Sequence, residues 1–226
     1  MTDMPRVPPC SVILAGLLCM ALIAQESAPN ILLVFREPLK PGLEAEYKAI
    51  EDETAQACVE LKCPHPHLAL EPLTGPREVW WLNAFESDAD RLRVEDAYAK
   101  NRPLMAALER NSKRKAAVTE PFVSAFVKYR PDLSRGTPWT LVGARFLVVT
   151  VTRQDSRAEG SVFDAPDGSR YILKPVKTRQ QADAEATRAG QEARVFAIRP
   201  SWGLPAKAWL EADPDFWKVN PLASRR

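Results

Sequence analysis

Histidine is almost missing from this chain, with only His65 and His67 among 226 residues. Both sit in one short stretch, Cys63-Pro64-His65-Pro66-His67, so no serine–histidine–aspartate set can be assembled from separate segments. An excess of charge of one sign is missing too. Thirty-one basic residues nearly balance 29 acidic ones, for a net charge of +2. No strong field exists to draw nucleic acid or anionic lipid, and no nucleic-acid partner is expected. The one tight basic run, Lys113-Arg114-Lys115, reads as a solvated helix face. Glycine is scarce, with nine residues against 20 prolines, and Gly143 and Gly168 belong to no phosphate-binding loop. No cofactor is expected. Low-complexity tracts are absent, and a hydrophobic share of 46% is too high for a disordered chain.

Charge is absent in a second sense: no side chain between Arg6 and Glu26 carries any. Cys10 to Ala24 is almost wholly apolar. A basic start, an apolar middle shorter than the roughly 20 residues of a membrane span, and small Ala24 before polar Gln25-Glu26-Ser27 together predict a signal peptide over residues 1–24. The chain is then exported, periplasmic or extracellular, with no membrane attachment after cleavage. An uncleaved N-terminal anchor is the main rival. A lipoprotein fits worse, because Leu17-Leu18 before Cys19 is a poor match, and a core helix is the bland alternative. Cleavage removes Cys10 and Cys19 and leaves the pair Cys58 and Cys63.

What remains is rich in alternating elements. Ile31-Leu32-Leu33-Val34-Phe35 is a short apolar run expected as a buried strand. Leu43, Tyr47, Ile50, Thr54, Ala57 and Leu61 then mark one face of an amphipathic helix, with Glu51 and other acids largely on the remaining faces. Pro64 ends it. Strands are predicted at His67–Glu71 and Val79–Phe85, and Ser87 with Asp90 signals a helix start. Pro103 divides the following helix, carrying Leu92 and Tyr98, into two pieces. Phe122–Tyr129 is a further strand. Strand, helix, strand, strand, helix, strand is the ferredoxin-like βαββαβ order, an α+β domain over residues 30–131. Both faces of Val79–Phe85 are apolar, so the second half of the chain or a second copy must cover the sheet.

Pro131 to Pro138 reads as a linker. A second, smaller α+β module follows over residues 139–218. It has a strand near Arg145–Thr152, a hairpin turning at Pro166-Asp167-Gly168, and a helix from Thr178 to Gly190. A strand at Arg194–Ile198 and a partly helical tail complete it. Its strand order does not simply repeat that of the first half.

The first half resembles the dimeric α+β-barrel superfamily, the ferredoxin-like group that holds the antibiotic-biosynthesis-monooxygenase-like and NIPSNAP-like domains. The residues concerned are Ile31–Phe35 leading into Lys40-Pro41-Gly42, Trp80-Trp81-Leu82-Asn83 with Phe85-Glu86-Ser87, and Phe122–Tyr129. The resemblance implies sheet-to-sheet pairing, within the chain or in a homodimer, that encloses an apolar cavity. Members of the group include oxidising enzymes, haem binders and proteins without known activity, so fold alone assigns no function.

Two constellations carry chemistry. Asn83 is polar in an apolar strand. With Trp81 and Tyr98 it forms the predicted ligand-binding set, Arg36 and Tyr47 being further candidates; the alternative places Asn83 at a sheet edge and the tryptophans in the core. The other is Cys58, Cys63, His65 and His67. A disulfide between the cysteines, two reduced core cysteines, or a zinc or copper site using all four side chains are each consistent with that spacing. The functional expectation is an exported α+β protein that binds a small apolar ligand or a protein partner. The alternatives are a cofactor-independent monooxygenase-like enzyme and a metal-binding protein.

Overall fold

The computed structural model describes residues 27–136, 139–154 and 157–217. The leader expected over residues 1–24 lies outside them. Among the described residues, ten strands and six helices form a mixed α+β fold built on a closed antiparallel barrel of eight strands. The first half contributes β1 (Ile31–Pro38), α1 (Glu44–Glu60), β2 (His67–Pro72), β3 (Glu78–Phe85), α2 (Asp88–Lys100), α3 (Arg102–Val118) and β4 (Val123–Tyr129). The second contributes β5 (Ser134–Arg135), β6 (Phe146–Thr152), β7 (Ala158–Glu159), β8 (Ser161–Asp164), β9 (Arg170–Val176), α4 (Arg179–Ala189), β10 (Ala193–Ile198), α5 (Lys207–Ala212) and α6 (Pro214–Trp217).

The barrel runs β1-β3-β2-β10-β6-β9-β8-β4. Along the sheet the first half therefore reads β4-β1-β3-β2 and the second β10-β6-β9-β8. Numbered by position within each half, both are fourth, first, third, second. This corrects the expectation that the second half does not repeat the first. The repeat is hidden because, among the described residues, no helix joins β6 to β8; the connection contains the two-residue β7. Two seams close the barrel. Phe196 faces Pro72 where β10 meets β2, and Tyr129 faces Phe163 where β4 meets β8. The cover that the apolar first sheet requires is thus supplied within the chain.

Alternation explains the packing. Leu32, Val34, Trp80 and Leu82 point into the barrel and meet Leu147, Val149, Phe163, Leu173 and Phe196 from the second half. Burying these side chains on both faces of the sheet is the main stabilising term. The interior is filled by side chains, as eight-stranded barrels permit. Trp139, Leu141, Trp209 and Trp217 join the same cluster from the loop before β6 and from α5 and α6. The opposite positions, Val79 and Ala69, pack with Tyr47 and Ile50 of α1.

Local chemistry sets the helix ends. The Ser87 hydroxyl accepts from Asp90 N at 3.1 Å and starts α2. Asn101 closes α2 and opens α3, accepting from Leu104 N at 3.3 Å, with Pro103 tolerated in the first turn. Leu92 is not a core contact of α2; it is 55% exposed, and Val94 is buried instead. Thr178 and Gln181 form a reciprocal capping box at α4. Among the described residues no helix is long and apolar enough to cross a membrane.

Candidate functional site

A pocket of about 210 Å³ lies between the outer face of the first half's sheet and its helices. Leu33 and Phe35 of β1, Trp81 and Asn83 of β3 and His67 of β2 form its floor. Glu51, Thr54 and Cys58 of α1, Tyr98 of α2, and Leu108 and Lys115 of α3 form its walls. The predicted set Trp81, Asn83 and Tyr98 is therefore brought together. It lies beneath the helices and not in a cavity between two sheets, as the resemblance implied. The reason is parity: Trp81 and Asn83 occupy the strand positions opposite those of Trp80 and Leu82.

Asn83 is not at a sheet edge, since β3 is paired on both sides, with β1 and β2. Its side chain lines the pocket. Burial pushes the Tyr98 phenol up. His67 is pushed down to about 4 by burial, so it stands as a neutral imidazole, its ring 5.7 Å from that of Trp81. Arg36 and Tyr47 do not line this pocket. Arg36 is paired with Glu78, its guanidinium over the Trp80 ring inside the barrel, and Tyr47 packs edge-on against Trp202.

Beside the pocket is a charged cluster. Lys115 Nζ lies 2.8 Å from Glu37 Oε1 and 2.9 Å from Glu51 Oε1. The other Glu37 oxygen accepts from Tyr47 OH at 2.6 Å and from Trp81 Nε1 at 2.8 Å. Glu37 thus has both oxygens engaged, while the Glu51 oxygens have the nearby ammonium but no aligned hydrogen-bond donor. Glu51 is 1% exposed. Its burial raises the carboxyl to about 7; the Lys115 charge pulls it down and the Glu37 charge pushes it up. Burial would lower the Lys115 ammonium, but the two carboxylates outweigh it and hold it above its ordinary value. A carboxyl that titrates near neutrality beside an apolar pocket is suited to acid–base chemistry.

Glu51 and Lys115 correct two expectations, since Glu51 was placed away from the apolar face of its helix and Lys115 on a solvated one. The signal was present at helical spacing. Tyr47, Glu51, Thr54 and Cys58 are separated by steps of four, three and four, and so are Leu104, Leu108, Asn111 and Lys115. Arg114 does face outward, pairing with Glu53.

Cys58 and Cys63 form a disulfide with Cα atoms 4.7 Å apart. The chain turns at Lys62 itself, a non-glycine residue with φ of 57°, and Cys63 N donates to Cys58 O at 2.8 Å. A left-handed residue followed by this bond closes a helix end and brings the two sulfurs together. With both sulfurs bonded to each other, neither is free to ligate a metal alongside His65 and His67. The His65 ring stacks on Phe85 at 4.7 Å, and among the described residues no group of three or more side chains is placed to hold a metal ion.

Neither a family model nor a curated protein matches the sequence. Among solved structures, the chain is similar to a candidate monooxygenase from Fusobacterium nucleatum, at 12% identity and a TM-score of 0.49, over 80% of this chain and 94% of that one. It is also similar to a candidate monooxygenase from Lactobacillus acidophilus, at 7% identity and a TM-score of 0.45, over 75% and 93%.

Proposed function

We propose that this is an exported protein that binds a small apolar ligand of single-ring size in the pocket under α1, α2 and α3. The observation that carries the reading is the convergence of Trp81, Tyr98, Leu33 and Phe35 around the Asn83 side chain. Aromatic and aliphatic side chains with convergent polar groups, here Asn83, His67, Thr54, Glu51 and Lys115, are the usual mark of a small-molecule site. The shared strand order supports reading each half as a ferredoxin-like unit, the second without its first helix, and so supports kinship with the dimeric α+β barrels. Export rests on the leader and is compatible with the disulfide. N-terminal sequencing of protein recovered from outside the cytoplasm should begin at Gln25; a chain still starting at residue 1 would favour the anchor.

A second reading, a cofactor-independent monooxygenase-like enzyme, is favoured by Glu51. Its carboxyl, raised to about 7, supports a role as the base that takes a proton from a bound hydroxylated ring, with dioxygen as co-substrate. Fluorine NMR with fluorobenzene and 4-fluorophenol tests the site. Asn83→Ala should weaken the phenol about fivefold, the worth of one hydrogen bond, and leave fluorobenzene nearly unchanged. Equal loss of both, or of neither, would refute the role given to Asn83. Oxygen uptake with the phenol that disappears in Glu51→Gln would select the enzyme; no uptake would select the binding protein.

A further inference from the structure

We propose that the Cys58–Cys63 disulfide is a redox gate on this pocket, holding one wall in place when oxidised and loosening it when reduced; the proposal rests on the ligand-binding reading above. Cys58 is itself part of the pocket wall. The turn it shares with Cys63 is bonded to the opposite wall. Asn101 Nδ2 donates to Leu61 O at 2.7 Å, one residue before Lys62. The same Asn101 donates through its backbone N to Tyr98 O at 3.0 Å and accepts from Leu104 N at 3.3 Å. One asparagine therefore ties the disulfide-held turn to the junction of α2 and α3, which carry Tyr98 and Leu108 on the pocket's far side.

The disulfide spans Lys62, which sits in the left-handed region that a side chain disfavours. Once the bond is broken, the turn can relax, the Leu61 carbonyl leaves Asn101, and the wall bearing Tyr98 is no longer tied to α1. Reaction is also directional. Cys58 is 6% exposed whereas Cys63 is half-buried. A thiolate of an external dithiol attacks Cys63 Sγ, the sulfur–sulfur bond breaks, and Cys58 leaves as a thiolate that takes up a proton in the pocket wall. The dithiol's second thiol then displaces Cys63, leaving two protein thiols and one oxidised dithiol.

Fluorobenzene binding to the intact protein, followed by fluorine NMR, tests the gate. The oxidised protein is compared with protein reduced by dithiothreitol, with Cys63→Ser, which frees the Cys58 thiol without removing a wall residue, and with oxidised Asn101→Ala. Binding about tenfold weaker in all three, with the fold retained by circular dichroism, is the expected result. Equal affinity in oxidised and reduced protein overturns the gate and leaves the ligand reading intact. Weakening on reduction that Asn101→Ala does not reproduce overturns the route through Asn101. Global unfolding on reduction overturns the gate as well. Absence of binding in every form, oxidised protein included, defeats the ligand reading and the gate with it.

Discussion

Replacing Lys115 by methionine is expected to cost about 3–5 kcal/mol at neutral pH, the usual penalty for removing one partner of a buried ion pair. The ammonium is the cation between Glu37 and Glu51, which are 4% and 1% exposed. Methionine fills the volume but leaves two carboxylates facing each other. The loss should shrink as the pH is lowered, because protonating Glu51 removes the repulsion. Glu51→Gln is expected to act in the opposite direction. Its carboxyl titrates at about 7 in the folded protein against an ordinary value of 4.5. The folded state therefore holds the extra proton between those values. Stability from this group is complete below pH 4.5 and lost as the pH rises through 7, a total of about 3 kcal/mol. Glutamine cannot ionise, so the variant should match or exceed the wild type above pH 7 and lack that slope. Urea midpoints from pH 5 to 8 check both variants. A Lys115→Met loss below about 1 kcal/mol would mean that water reaches the cluster.

Glu78→Gln should be nearly as damaging, at about 3 kcal/mol. This carboxylate accepts from Arg36 Nε and Nη2 at 3.2 and 2.7 Å, from Trp80 Nε1 at 2.9 Å, and from Arg194 Nη1. Both guanidinium groups also lie over the Trp80 ring, whose residue is fully buried. Without Glu78 two cations share the end of the barrel with no counter-charge. Burial pushes the Glu78 carboxyl up, yet Arg194 and Arg36 outweigh it and hold it below the ordinary range. Its stabilisation is therefore complete above about pH 4.5 and lost as the pH falls further. Denaturant midpoints measure the loss. Fluorobenzene affinity at pH 7 in the surviving folded fraction should not change, because Arg36 and Trp80 face the barrel interior while Phe35 and Trp81 face the pocket. A parallel loss of affinity would contradict that separation.

Much of the fold was legible because local signals agreed with one another. Pro64, Pro103, Ser87 with Asp90, Thr178 with Gly190, and Pro166-Asp167-Gly168 all mark boundaries that the structure keeps. The two-faced apolar character of Val79–Phe85 required a cover on both sides, and one was found. The repeat in the second half was not legible, because a missing helix removes the periodic segment by which halves are compared. Half of the candidate site was legible. Trp81 and Asn83 stand out in their strand, while Glu51 and Lys115 look like ordinary surface charges. Only their helical spacing set them apart, and a charge at such a position is unusual enough that composition argues against burying it.

The sequence alone determined the elements, their order and the need for a covered sheet, since each follows from side-chain periodicity and turn chemistry within a few residues. It left Cys58 and Cys63 open between a disulfide, reduced core cysteines and a metal site. The tertiary structure decided which face of the sheet would hold the pocket, that the second half would close the barrel, and that Lys115 would sit between Glu37 and Glu51. Those outcomes depend on strand pairing and helix docking between distant segments. A charge is worth burying only when its partner arrives from another part of the chain, and no local pattern reports that arrival.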